Sequence, residues 1–288
     1  MPFIPRTEIL ARLKKAAQSG RPILGCGAGT GISAKFAERG GADLIIIYNS
    51  GRFRMAGRSS MAGLMPYGDA NAIVVEMGGE VLPIVRNTPV LAGVCGTDPF
   101  RIMKVFLKQL KEMGFDGVQN FPTVGVMDGL FRQNLEETGI SYDLEVDMIQ
   151  EAHNLDMLTC PYVFNESEAR KMAQAGADVI VAHAGTTNKG SVGATTTLSL
   201  NKSAEFVQAI QKAAAAVNPA VLTICHGGPI AEPEDAQYIF ENTRGIAGFF
   251  GASSIERLAT EQAIEQQTRR FKELDVHTHP RAERSRHA

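Results

Sequence analysis

The sequence predicts an α/β fold: a single (β/α)8 barrel of the TIM type, preceded by one extra helix at the N-terminus. Short apolar runs alternate with longer amphipathic segments along the chain, which is typical of a parallel sheet covered by helices. Eight such runs can be counted, and a length of 288 residues suits one barrel domain. Several amphipathic segments end in glycine just before the next run, where helices commonly close with a left-handed residue. An open doubly wound sheet is the alternative.

The N-terminal segment, from Thr7 to Gly20, is predicted to be an amphipathic helix. Apolar side chains such as Ile9 and Leu13 recur in it at helical spacing. We expect this helix to lie against or cap the N-terminal face of the barrel. The predicted strands follow at residues 23–27, 44–48, 90–95, 117–121, 157–163, 179–183, 221–226 and 248–251. Predicted helices lie between them, at residues 69–85, 101–113, 142–154, 166–175, 203–216 and 234–243.

The chain is predicted to form one domain. Residues 1–274 are assigned to the barrel, because no linker rich in proline or serine divides them. Residues 275–288 are polar and are predicted to be a disordered tail. His277 and His279 in this tail could hold a metal, but a mobile tail is the simpler interpretation.

Composition excludes several classes of partner. The net charge is −2 and the isoelectric point is near 6.3, so neither nucleic acid nor a membrane surface is expected as a partner. No apolar stretch approaches the roughly 20 residues of a membrane-spanning helix, and the N-terminus lacks the apolar core of a signal peptide. We therefore expect a cytoplasmic protein. Its four cysteines are far apart in sequence and are predicted to be reduced; Cys26, beside Gly27, is the one that could act as a nucleophile.

Polar side chains follow most of the predicted strands. In a barrel of this type the chemistry takes place at the carboxyl ends of the strands, so these residues are the candidates for the site. The predicted catalytic residues are His183, His226, Asp98 and Gln119. The predicted substrate-binding residues at the same ends are Asn49, Arg52 and Asn120.

His183 and His226 end the sixth and seventh runs, which are neighbours in a barrel. Two imidazoles side by side could act as general acid and general base near neutral pH. They could also be two ligands of a metal, with Asp98 or Glu76 as the third. The alternative is that each histidine is a packed, hydrogen-bonded residue without a role in chemistry.

The last two runs carry glycines and serines that suit an anion site. Barrels that bind phosphate commonly use the loops after strands seven and eight, where backbone N–H groups at a helix N-terminus face the ligand. The residues predicted to form this site are Gly227, Gly228, Gly251, Ala252, Ser253 and Ser254. The alternative is that the two glycines make a simple turn and Ser253 caps the following helix.

The segment from Ser50 to Gly68 is predicted to be a long functional loop that closes over the substrate. It carries Arg52, Arg54 and Arg58, and a guanidinium offers a planar fork to a carboxylate or phosphate. The alternative is a subunit interface, for which its apolar side chains are plausible anchors, and a homo-oligomer is expected. Those side chains are Phe53, Met55, Met61, Leu64 and Met65.

Six stretches of the chain carry a resemblance to a known family. They are GCGAGTGISAKFAERGGADLIIIYNSGRFRMAGR, AGVCGTDPF, GVQNFPTVG, FRQNLEETG, CHGGPI and GFFGASSIERL. Together they resemble the signature sequences of the phosphoenolpyruvate hydrolase-like TIM barrels, over about residues 5 to 272. The resemblance implies a single-domain barrel related to the phosphoenolpyruvate mutase and isocitrate lyase group.

The resemblance also implies an activity. It points to an enzyme for a small anionic substrate, a phosphorylated or 2-oxo carboxylate of the phosphoenolpyruvate or phosphonopyruvate type, that cleaves a P–O, P–C or C–C bond. Enzymes of that group hold Mg²⁺ with clustered acidic residues, so the resemblance implies a divalent metal, although the residues themselves fix no cofactor. Here Asp98 is the acidic residue at such a strand end. Because the family module is also similar to the C-terminal half of a plant protein that confers tobamovirus resistance, a non-catalytic binding or regulatory module is the alternative.

Overall fold

The computed structural model describes residues 3–276 of the chain. Within them, nine strands form one sheet in which all neighbouring strands are parallel, in the order β5-β4-β3-β2-β1-β9-β8-β7-β6. The predicted parallel α/β class is therefore confirmed. The strands are β1 (Ile23–Gly27), β2 (Leu44–Ile47), β3 (Val90–Val94), β4 (Gly117–Asn120), β5 (Leu158–Thr159), β6 (Tyr162–Val163), β7 (Val179–His183), β8 (Leu222–His226) and β9 (Ile246–Gly251).

Helices follow most of the strands and cover the outside of the sheet. They are α1 (Arg6–Gln18), α2 (Gly31–Arg39), α3 (Asn49–Met55), α4 (Ala70–Val81), α5 (Met103–Met113), α6 (Gly129–Glu137), α7 (Tyr142–Asn154), α8 (Glu166–Gln174), α9 (Leu200–Val217), α10 (Pro233–Asn242) and α11 (Arg257–Lys272). Short 3₁₀ helices lie at Ser60–Leu64 and Val124–Val126. Strands β2, β3 and β4 are buried along their whole length, because helices cover one face and the interior of the curled sheet covers the other.

The prediction of one continuous fifth strand at residues 157–163 is wrong. The segment is divided into β5, which pairs with β4, and β6, which pairs with β7. Pro161 lies at the division and has no N–H to donate to a ladder. The side chain of Asn120 takes the place of a ladder partner, because its Oδ1 accepts the backbone N–H of Tyr162 at 2.7 Å.

The prediction of a long loop after the second strand is also partly wrong, because this segment begins with the helix α3. The residues Asn49, Ser50 and Gly51 are buried within α3, so they are held in place rather than mobile. The chain then forms the Ser60–Leu64 helix before α4 begins. Sequence periodicity missed α3 because seven residues make too few turns for an apolar stripe to be recognised.

The N-terminal helix α1 lies at the amino ends of the strands, as predicted. Arg6 forms an ion pair with Asp178, which directly precedes β7, at 2.7 Å. The backbone N–H of Ile4 donates to Asp116, which directly precedes β4, at 2.7 Å. These contacts leave the opposite, carboxyl end of the sheet open to other loops.

Two further expectations concern the chain as a whole. No helix in residues 3–276 is both long and apolar enough to cross a membrane. The tail was predicted at residues 275–288. Of these, residues 277–288, which include His277 and His279, lie outside the described part of the chain.

Candidate active site

The two predicted catalytic histidines lie side by side at the carboxyl end of the sheet. His183 ends β7 and His226 ends β8, and the two residues are direct partners in the register of these parallel strands. Their ring centroids are 4.6 Å apart and the ring planes are inclined by 74°. One small ligand can therefore contact both imidazoles.

The hydrogen bonds of the two rings assign opposite tautomers. Nδ1 of His183 accepts the backbone N–H of Gly185 at 3.1 Å, so in the neutral ring the proton is on Nε2. Nδ1 of His226 lies 2.7 Å from the carbonyl oxygen of Phe250, which can only accept, so this Nδ1 carries the proton. Nε2 of His183 is consequently a donor, whereas Nε2 of His226 is a basic lone pair.

Burial keeps both rings neutral near neutral pH. Desolvation lowers the pKa of His226 to about 4, and the hydrogen bond to Phe250 opposes this shift only in part. Desolvation, followed by the neighbouring His226, lowers the pKa of His183 well below its usual value. The pair is therefore suited to donate one hydrogen bond and accept another without carrying charge.

We expect the low pKa of His226 to appear in the pH dependence of stability. Because the folded pKa of about 4 lies below the ordinary value of 6.5, the unfolded chain binds more protons between these values. This histidine should contribute stability that is complete above about pH 6.5 and is lost as pH falls through 4, by roughly 3 kcal/mol. Urea unfolding of the protein and of His226→Gln, compared from pH 4 to 7, measures it. A difference between the two that does not change with pH would contradict the assignment.

The histidines line a small, partly open cavity of about 50 Å³. Tyr162 lines this cavity, and its ring centroid lies 4.8 Å from that of His183 and 5.2 Å from that of His226. The hydroxyl of Tyr162 lies 3.5 Å from that of Tyr48. The cavity wall thus combines aromatic rings with hydroxyl and imidazole groups, and the remaining polar or flexible members are Ser50, Ser60, Met61, Thr186, Thr187 and Ser253.

The Ser60–Leu64 helix covers this cavity. Asn49 Nδ2 donates to the carbonyl of Gly63 at 2.8 Å, and Ser50 Oγ donates to the carbonyl of Ser60 at 2.6 Å. On the far side, Thr186 Oγ1 donates to Met61 Sδ at 3.3 Å. The buried start of α3 therefore fixes the cover, and the loop after β7 meets its outer edge.

A substitution at Gly63 tests whether ligand binding depends on the position of the Ser60–Leu64 helix over the cavity. A Cβ there would lie 2.0 Å from Ser50 Oγ and 3.0 Å from Asn49 Oδ1, so Gly63→Ala must displace the Ser60–Leu64 helix or the side chains that hold it. We expect Gly63→Ala to weaken binding of an anionic ligand by about tenfold or more, since a loss of about 1.4 kcal/mol is tenfold. Calorimetric titration with oxalate measures this. The matched control is Gly79→Ala, where a Cβ meets nothing within 4 Å in α4, and equal binding by both variants would contradict the account.

The other predicted catalytic residues, Asp98 and Gln119, are not among those that line the cavity. Asp98 pairs with Arg101 and accepts from Asn71 Nδ2 at 2.9 Å, so it stabilises the loop after β3. Gln119 is fully buried in β4, where its Nε2 donates to the carbonyl of Cys160 at 3.1 Å. The structure therefore brings the two histidines together and leaves these two residues apart from them.

The predicted substrate-binding residues divide in the same way. Asn120 joins β4 to β6 and donates to the buried carboxyl of Glu145 at 2.6 Å. Arg52 forms an exposed ion pair with Glu76 at 2.9 Å, away from the cavity lining. Asn49 acts on the cover rather than lining the cavity itself.

Gly227 and Gly228, predicted to bind an anion, contact the loop after β7. Gly227 and Gly228 have φ of 78° and 58°, and the N–H of Gly228 donates to the carbonyl of Gly185 at 2.7 Å. That N–H is therefore bonded to the loop after β7, whereas the turn is closed by the N–H of Ile230, which donates to the carbonyl of Gly227 at 3.1 Å. Of the predicted residues after β9, Ala252 and Ser253 line the cavity. Gly251 ends β9, and a Cβ on it would meet the Ser254 hydroxyl at 2.8 Å.

Cys26 is an unsuitable nucleophile. It is buried, and desolvation raises its pKa to about 12, so the thiol stays protonated at neutral pH.

The cavity is also lined by residues that are not among the predicted catalytic and substrate-binding residues. Most of them bear a hydroxyl group. Tyr48, Ser50 and Tyr162 adjoin predicted strand ends and could have been found there, whereas Ser60 has no local signal.

Comparison with known proteins extends these observations. The chain is 59% identical over 271 residues to "ToMV susceptible protein tm-1(GCR26)" of Solanum lycopersicum, and equally to "ToMV resistance protein Tm-1(GCR237)" of that plant. Each match covers 94% of this chain and 36% of the tomato protein, so the chain spans about a third of the length of these relatives.

Solved structures share the fold at low sequence identity. Phosphoenolpyruvate phosphomutase from Streptomyces platensis subsp. rosaceus has a TM-score of 0.60 at 16% identity, covering 94% of this chain and 92% of that one. Phosphonopyruvate hydrolase in complex with oxalate and Mg²⁺ has a TM-score of 0.58 at 16% identity, covering 91% and 87%. The model of one family matches residues 8–274. The chain therefore belongs to the phosphoenolpyruvate hydrolase-like family.

Proposed function

We propose that the protein is an enzyme that cleaves a P–O, P–C or C–C bond in a small anionic substrate, a phosphorylated or 2-oxo carboxylate of the phosphoenolpyruvate or phosphonopyruvate type. The observation that carries this proposal is the pair His183 and His226, with opposite tautomers in one small cavity. The family and the names of the structural neighbours support the substrate class.

The tautomers assign the roles. The basic Nε2 of His226 takes a proton from water while the water oxygen attacks the phosphorus or carbonyl carbon of the substrate. The Nε2–H of His183 donates to the oxygen on which negative charge develops, and a neutral donor in a dry cavity stabilises that charge strongly. The bond to the leaving group then breaks, and His226 returns its proton to that group. The cover and the aromatic wall limit the access of bulk water during these steps.

The residues around the cavity do not fit a Mg²⁺ site. Mg²⁺ takes oxygen ligands in an octahedral arrangement and is usually held by carboxylates. The lining contains hydroxyls and imidazoles but no carboxylate, and residues 3–276 contain no group of three or more His, Cys, Asp or Glu side chains placed to hold a metal. The proposed steps therefore use only protein groups and water.

A closed eightfold barrel is part of the same proposal. The two ends of the sheet, β5 and β6, are consecutive parts of one segment, Leu158–Val163. Counting this segment as a single interrupted strand joins the sheet into a ring of eight. Such a ring would place the carboxyl ends of β2, β7, β8 and β9 around one cavity, as a barrel site requires.

We also propose that the protein forms a homo-oligomer through the exposed surface of α11. Of this 16-residue helix only Arg257 and Leu258 are buried, while Ile264 and Phe271 are more than 60% exposed. An exposed apolar helix face commonly marks an interaction surface. We expect light scattering to give a mass of at least two chains, and Ile264→Glu to lower it. A monomeric mass for the unaltered protein would contradict this.

The alternative function is a non-catalytic binding or regulatory module. The observation that favours it is the pair of tomato relatives named for ToMV susceptibility and resistance. A binding module would hold an anion in the cavity without turning it over.

The test is a turnover assay on a small panel of compounds. Phosphonopyruvate, phosphoenolpyruvate and oxaloacetate are incubated with the purified protein, and release of phosphate or oxalate is measured. We expect turnover of at least one compound, with a rate that stays constant as pH falls to about 5, because His226 becomes protonated only near its pKa of about 4. Binding without turnover of all three would favour the module.

A further inference from the structure

A second polar group is buried directly beside the cavity and is only half satisfied. The side chain of Arg54, on α3, is fully buried, and its Nε donates to Glu256 Oε2 at 2.7 Å. The other oxygen of Glu256 accepts the backbone N–H of Gly29 at 2.5 Å. Glu256 therefore holds the guanidinium by one edge and is itself held by the loop after β1.

In the described part of the chain, the other edge of the guanidinium makes no hydrogen bond of normal geometry, and the side chain of Tyr48 is the other polar group that interacts with Arg54. Within residues 3–276, neither Nη1 nor Nη2 of Arg54 has a hydrogen-bond acceptor. A buried donor without an acceptor is unfavourable, and a charged one more so. Proteins rarely retain such an arrangement unless an ordered water, an ion or a ligand completes it.

The free edge lies next to residues of the cavity wall. The guanidinium carbon of Arg54 is 5.7 Å from the ring centroid of Tyr48. A Cβ added at Gly27 would lie 3.4 Å from Arg54 Nη2 and 3.0 Å from the Cβ of Ala252. Tyr48 and Ala252 both line the cavity, so the guanidinium lies close to this part of the cavity wall without lining the cavity itself.

We propose that Nη1 and Nη2 of Arg54 bind the carboxylate of the substrate in a bidentate contact, with Glu256 fixing the orientation of the guanidinium. This inference rests on the proposed function, because it assigns the anionic end of the same substrate. A planar carboxylate matches the two parallel N–H groups of an arginine edge. This contact requires the ring of Tyr48 to move aside, and the reactive end of the substrate then lies at His183 and His226.

Binding of oxalate tests the assignment. Arg54→Lys keeps the charge but loses the two-pronged edge, so we expect oxalate to bind at least about tenfold more weakly than to the unaltered protein. The matched control is Arg12→Lys on α1, whose exposed pair with Glu8 lies at the opposite end of the sheet. Its affinity for oxalate should stay within about twofold, because an exposed ion pair contributes little. Equal weakening in both variants, or in neither, overturns the inference.

A crystal structure of the unaltered protein with oxalate decides the matter even if Arg54→Lys does not fold. We expect one carboxylate to lie within hydrogen-bond distance of both Nη atoms, and inorganic phosphate to bind there more weakly because it is not planar. Oxalate seated on His183 and His226 without contact to Arg54 overturns this inference and leaves the proposed function standing. No binding of oxalate or phosphoenolpyruvate at all overturns both.

Discussion

Replacement of His226 by glutamine is expected to lower turnover of the best compound of the panel by about 10²- to 10⁴-fold, the usual contribution of a general base. Glutamine can keep the hydrogen bond to the carbonyl of Phe250, because its amide also donates. It cannot supply a basic lone pair. The fold should therefore survive while proton transfer is lost, and kcat should fall more than KM changes.

The matched control for this experiment is His153→Gln. His153 lies on α7, away from the cavity lining, so its replacement should leave kcat within about twofold, as is usual for a residue remote from the chemistry. Turnover by His226→Gln at the rate of the unaltered protein would show that the histidine pair has no catalytic role. The module function would then be favoured.

Replacement of Glu256 by glutamine is expected to give the largest loss of stability, about 3 to 5 kcal/mol. Both side chains of the Arg54 and Glu256 pair are almost completely buried, at 0% and 1% exposure. Removal of the negative charge leaves a guanidinium in the interior without a counter-ion. Urea unfolding measures the effect through the midpoint of the transition.

The control for the loss of stability in Glu256→Gln is Glu265→Gln. Glu265 pairs with Arg269 on α11, but both side chains are more than 60% exposed. Exposed pairs of this spacing contribute only about 0.3 to 0.5 kcal/mol, so the control should barely change the transition. If Glu256→Gln unfolds within about 1 kcal/mol of the unaltered protein, the buried pair does not have the proposed structural importance.

The fold could be predicted from the sequence to a large extent. Buried parallel strands are continuous apolar runs, and the spacing between them leaves room for one helix each, so the alternation was visible without the structure. The division of the fifth strand was not visible. It depends on Pro161 and on the side chain of Asn120, which comes from a different strand.

The candidate site could be predicted only in part. The adjacency of His183 and His226 follows from neighbouring strands, and the structure places the two residues in register. The choice between Arg52 and Arg54 did not follow, because it depends on which face of α3 points inward, and α3 was not predicted. Glu256 could not be found at all, since its link to Arg54 joins residues 202 positions apart.

The histidine tautomers test the central claim most directly. Long-range proton–nitrogen correlation spectra of protein labelled with ¹⁵N-histidine distinguish a protonated ring nitrogen from a bare one. At neutral pH the account predicts a proton on Nδ1 of His226 and on Nε2 of His183, with both Nε2 signals shifting when oxalate is added and those of His153 unchanged. The same tautomer in both rings, or Nε2 signals that do not respond to oxalate, would contradict it.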